Sequence, residues 1–144
     1  MLIFSICIKA QNITEAVFKV TNYSIDGVNY DDVAIEGNAA LAFYWCDESD
    51  DSDICFANVF RSQNSQSYGS VSGISKKHFD ETNQYYEVDT YQFTWNYSNT
   101  FDEVTGMASV ELSKIFINDM VKMTAKILVL ETNEVLEFVG YLEK

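Results

Sequence analysis

The chain has no proline and only one histidine, His78. With no proline, no residue lacks a backbone N–H or has a locked φ, so long uninterrupted elements are permitted. With one histidine, any Ser-His-Asp or Cys-His arrangement has to use it. No Gly-x-Ser-x-Gly, His-Glu-x-x-His or Cys-x-x-Cys motif accompanies it. A zinc centre built from several Cys and His ligands fails by count. His78 therefore reads as a surface histidine in a stretch, 74–84, expected to hold little regular structure beyond one short helical turn. Basic residues are scarce too, nine Lys and Arg against 22 Asp and Glu, for a net charge of −13. Such a polyanion is repelled by nucleic-acid phosphates and anionic membrane surfaces. The largest basic cluster is Lys76-Lys77, so no nucleic-acid partner is expected. No apolar run approaches the roughly 20 residues of a membrane-spanning helix, and no membrane span is expected.

What remains fits one globular domain. The 144 residues are 47% hydrophobic and 15% aromatic, enough for a core without a metal or dense disulfides, with a lean toward strands. Period-two alternation dominates. Tyr91, Phe93, Trp95 and Tyr97 alternate with Gln92, Thr94 and Asn96. Ala108, Val110 and Leu112 form a second such face, Val121, Met123, Ala125, Ile127 and Val129 a third, and Leu136, Phe138, Gly140 and Leu142 a fourth. Turn signals fall between the runs at Asp26-Gly27, Asn118-Asp119 and Thr132-Asn133. The expected strands are 14–25, 28–35, 38–46, 54–61, 67–73, 86–97, 105–117, 121–131 and 134–142. "YGSVSG", residues 68–73, is read as strand and not as a phosphate loop. Eight or nine antiparallel strands joined by short loops make an all-β fold. The expectation is an eight-stranded up-and-down barrel, with a β-sandwich as the alternative.

The N-terminal run Leu2–Ile8, followed by Lys9-Ala10-Gln11, reads as the back half of a secretory signal peptide cleaved after Ala10, or as an apolar first strand. The signal reading makes 1–10 a remnant and 11–144 the domain. It also removes Cys7 and leaves Cys46 and Cys55 as an even pair, as an oxidising compartment favours. The expected location is then secreted, periplasmic or at the cell surface.

"FKVTNYSIDGVNYDD", residues 18–32, and the ending "VLEFVGYLEK" resemble the opening and closing strands of bacterial lipocalin-like domains of the Bacteroidetes type. Phe18 stands where the lipocalin Gly-x-Trp tryptophan would pack. The resemblance implies a closed barrel whose interior is either filled or holds one small ligand.

Cys46 and Cys55 bracket an acidic stretch, "DESDDSDI". If they face each other across a hairpin, Trp45 meets Phe56, Phe43 meets Asn58 and Leu41 meets Phe60 on a core face, with Tyr44–Ala57 and Ala42–Val59 on the other. That register supports a structural disulfide. Asp47, Asp50, Asp51 and Asp53 are alternatively oxygen ligands for Ca²⁺, although the EF-hand rhythm and its glycine are absent; a solvated acidic tip is the plainer account. Glu87 and Asp89 share a strand face with Tyr91, Phe93 and Trp95, roughly 6.6 Å apart along the strand, and read as a polar rim. Phe43, Trp45, Tyr91, Phe93 and Trp95 then line a ligand cavity in the barrel mouth. The functional expectation is a non-enzymatic protein that binds a small apolar or amphipathic molecule. Its alternative is a cell-surface interaction module with a filled barrel, contacting a protein partner through Tyr85-Tyr86 and the 98–106 loop.

Overall fold

The computed structural model describes residues 16–47, 50–81 and 86–143. The expected leader, Cys7 and Tyr85 lie outside the described residues. The elements are β1 (Val17–Ile25), β2 (Val28–Asn29), α1 (Asp31–Glu36), β3 (Ala39–Asp47), β4 (Asp50–Phe60), a 3₁₀ turn (Arg61–Gln63), β5 (Ser65–Glu81), β6 (Tyr86–Asn99), β7 (Thr105–Ile117), β8 (Met120–Val129) and β9 (Val135–Leu142). Every pairing is antiparallel, and β1 also pairs with β9. Eight strands thus close an up-and-down barrel, and β2 is only the short return arm of a hairpin on β1. Closure removes the exposed sheet edges that a sandwich would leave.

The turns form where their chemistry was read. Asp26 and Gly27 both take positive φ, 50° and 82°, as a two-residue hairpin of matching twist requires. Asn118 at φ 56° opens the two-residue link between Ile117 and Met120. Alternation then sets the interior. Phe18 and Val20 point inward before a bulge at Thr21, and Tyr23 and Ile25 after it. Leu41 and Phe43 come from β3, Phe56 and Asn58 from β4, Tyr91, Phe93 and Trp95 from β6. Val110 and Leu112, Met123 and Ile127, and Phe138 complete the core.

Three local expectations are corrected. Residues 28–35 are not a strand. After the two-residue β2 the chain turns into α1, where the Asp31 carboxylate accepts the Tyr23 backbone N–H at 2.8 Å and side-chain N–H groups of Asn22 and Asn29 at 3.1 Å, and Ala34 is fully buried. Residues 74–81 are not irregular: β5 runs on to Glu81 through a bulge between Ser72 and Ser75, with Gly73 at φ 62°. The bulge breaks the alternation and charged residues face inward beyond it, so no apolar rhythm marks the strand. His78 consequently sits in the sheet and not in a surface loop. The β3–β4 register is shifted by two residues: Phe43 faces Phe56, Leu41 faces Asn58 and Tyr44 faces Cys55. The disulfide-bonded Cys46 and Cys55 are therefore not directly opposite each other, and a further irregularity lies between Trp45 and Asp47. Because the shift is even, the expected core face stays the core face.

A cavity at one end and an ionic cluster at the other

The strand order sends the connections 26–38, 61–64, 100–104 and 130–134 to one end of the barrel and the β3–β4 and β7–β8 turns to the opposite end. Between them lies an aromatic layer. Phe43, Phe56 and Phe93 meet one another at ring-centroid distances of 4.8 to 5.6 Å, and Trp95 packs edge-on against Phe56 at 5.0 Å. The middle of the barrel is therefore filled.

On the connection side of this layer the barrel opens into a cavity of about 660 Å³, within the size range of small-molecule sites. Tyr23, Phe60, Trp95, Tyr97, Val129 and Leu136 supply much of its apolar wall. Trp95 is held by its indole N–H, which donates to the Phe56 carbonyl at 2.9 Å. Tyr23 stacks on Phe138 at 4.7 Å and meets Phe60 edge-on at 6.2 Å. Burial, then the nearby Glu134 carboxylate and Tyr30, push the Tyr23 phenol up to about 12. Tyr97 is raised by burial first and then by its hydrogen bond to Glu131, with Asp102 and Glu134 adding to the effect. Asn58 projects inward from β4 between Phe56 and Phe60 and borders the cavity; it is 8% exposed, and its Oδ1 has no hydrogen-bond partner. A buried orphan acceptor costs about 1–3 kcal/mol. Gln66, Ser67, Asn99 and Thr132 add neutral polar groups to the wall.

The opposite end holds an ionic cluster. Adjacent strands set His78, Asp89 and Lys114 in one row and Lys76, Tyr91 and Leu112 in the next. His78 Nδ1 lies 2.6 Å from Asp89 Oδ1, and its Nε2 lies 3.5 Å from Glu87 Oε1. Lys76 Nζ is 3.7 Å from Asp89 Oδ2. Lys114, 6% exposed, rests its ammonium over the Tyr91 and Phe116 rings at 5.2 and 5.7 Å. Burial pulls its pKa down to about 8, with Lys76 acting in the same direction and Asp89 against it. Burial, and then the Asp89 charge, raise the Tyr91 phenol.

The seven residues expected to line one ligand site are divided among four places. Trp95 alone of them borders the cavity. Phe43 and Phe93 belong to the filled layer, and Trp45 is half-buried opposite Ile54. Glu87, Asp89 and Tyr91 belong to the ionic cluster, where the two carboxylates clasp an imidazole. Lys114 was missed, though it continues the even-numbered inward face of Ala108, Val110 and Leu112; Asn58 was assigned to the interior face but not to a site. Cys46 and Cys55 are joined by a disulfide, with Cα atoms 5.1 Å apart. Disulfides are rare in a reducing cytosol, so the bridge points to a non-cytoplasmic setting. Of the expected calcium ligands, Asp47 and Asp53 are exposed and the side chains of Asp50 and Asp51 lie outside the described residues. Among the described residues no group of three or more His, Cys, Asp or Glu is placed to hold a metal ion, and no helix is long and apolar enough to cross a membrane.

No protein-family model, no curated protein and no solved structure matches this chain. The structure establishes a closed eight-stranded antiparallel barrel, and since fold does not confer function, its role is argued from the sites themselves.

Proposed function

We propose that this chain is an exported, non-enzymatic, lipocalin-like barrel that binds a small apolar or amphipathic molecule in its connection-end cavity. The observation that carries the reading is the cavity of about 660 Å³, floored by the aromatic layer and bordered by Trp95, Tyr97 and Phe60 with polar groups among them. An apolar recess with a few convergent polar groups is the usual form of a small-molecule site. The ligand seat then runs outward from Trp95, and the Glu87–Asp89 end is a closure of the barrel.

Native mass spectrometry of the protein from its own source tests this. The wild type should carry a discrete additional mass of small-molecule size. Leu136→Trp, which narrows the cavity from β9, should not carry it while keeping its far-ultraviolet circular dichroism and a cooperative melt. A bare wild-type chain that also takes up no amphiphile from a panel would overturn the reading.

A further inference from the structure

The cavity wall carries charge of one sign. Asp102 and Glu134 border it, and among the described residues no lysine, arginine or histidine does. Next to them Glu131 accepts the Met107 backbone N–H at 2.9 Å and the Tyr97 hydroxyl at 3.2 Å. The Met107 bond, ahead of the Tyr97 one, holds the Glu131 carboxyl below its ordinary range. The negative potential reaches inward, since Glu134 disfavours ionisation of both wall tyrosines, Tyr23 and Tyr97.

Two further features point to the kind of head group that suits this wall. Asn58 is more than nine-tenths buried, faces inward, and leaves an acceptor oxygen unpaired; a ligand N–H supplies the missing donor once the carboxamide turns toward it. The rings of Phe60, Trp95, Tyr97 and Phe101 border the same space. Their faces attract cations, and the Trp95 N–H, already given to Phe56, is not on offer to an anion. A carboxylate entering here would lose water and meet carboxylates and ring faces without a cationic partner.

We infer that the occupant of this cavity is a small amphipathic amine in its ammonium form, and that fatty-acid-like carboxylates are rejected. The inference rests on the cavity being a binding site at all. Three probes sharing one chain separate the two questions: decylammonium, decanol and decanoate, titrated at neutral pH and low salt with calorimetric detection. Decylammonium should bind most tightly and decanoate about tenfold or more weaker than decanol, with the spread narrowing as salt is added. Asp102→Asn/Glu134→Gln should draw the three affinities together while decanol binding stays within about twofold of wild type. Leu136→Trp keeps the net charge, so loss of decylammonium binding in that variant separates cavity occupation from loose attraction to a polyanion. Decanoate binding as tightly as decylammonium, or decanol binding best, would overturn the amine inference and leave the cavity reading standing. Failure of all three to bind the folded wild type would overturn both.

Discussion

Replacing Lys114 with methionine should stabilise the protein, and the gain should depend on pH. Lys114 is 6% exposed, yet at neutral pH it carries a charge that burial opposes. Its pKa falls from 10.5 to about 8. At about 1.4 kcal/mol per pH unit, holding the ammonium charged in the folded chain costs about 3 kcal/mol below pH 8. Between about 8 and 10.5 the folded state has released its proton while the unfolded state still binds one, so stability rises with pH and the penalty fades. Methionine removes the charge and keeps a flexible apolar stem against Tyr91 and Phe116. Asp89 loses one favourable neighbour but retains His78 at 2.6 Å and Lys76 at 3.7 Å. The net gain at pH 7 should therefore be about 1–3 kcal/mol. Urea unfolding of both proteins at pH 7, 8, 9 and 9.5 gives the difference directly, since the tyrosines, whose ordinary pKa is about 10, are common to both. The advantage of Lys114→Met should shrink by about half or more by pH 9.5. An advantage independent of pH, or a variant less stable at pH 7, would mean that the buried Lys114 charge does not destabilise the folded chain.

Three other outcomes follow from the same structure. Breaking the Cys46–Cys55 bridge, by reduction or by Cys46→Ser/Cys55→Ser, releases a loop of about ten residues and should cost about 2–3 kcal/mol in urea unfolding. Phe93→Ala removes a ring that packs on both Phe43 and Phe56 and should cost about 3–5 kcal/mol in the same assay. Asp31 sits below its ordinary pKa, chiefly because it accepts the Tyr23 N–H; such a group contributes stability above its unfolded pKa that is lost as pH falls through the folded value. Wild type should therefore lose stability more steeply than Asp31→Asn as pH falls through and below the ordinary aspartate value of 3.8, as read by thermal melts.

The parts of this fold legible in the sequence are those where one rule acts alone. In β6 the aromatic positions 91, 93 and 95 alternate with polar ones because the strand is half-buried and unbroken from Tyr86 to Asn99. Asp26-Gly27 was readable because a two-residue hairpin demands positive φ at both positions. The rest was hidden by bulges and by interior charge. At Gly73 one bulge changes the phase of β5, and the inward residues beyond it, Lys76 and His78, carry no apolar signature. Cys55 lies across from Tyr44 instead of Cys46, an even offset that keeps the faces but changes every partner. The candidate site divided for a related reason. Alternation tells which residues point inward, so Phe43, Phe93, Trp95 and Asp89 were all assigned to the interior. It does not tell how deep each lies along the barrel axis, and that depth decides whether a ring fills the core or borders a cavity. Lys114 was within reach of the parity rule, since its even-numbered face was already marked by Ala108, Val110 and Leu112.

Residue-resolved mapping decides where in the barrel a ligand sits. Proton–nitrogen correlation spectra of the labelled protein, titrated with decylammonium and with decanol, report every backbone amide at once. A ligand in the connection-end cavity should shift the amides of Tyr23, Asn58, Phe60, Tyr97, Phe101 and Leu136 and leave those of Lys76, His78, Glu87 and Asp89 unmoved. Shifts concentrated at the Glu87–Asp89 end, with the connection end silent, would contradict that placement.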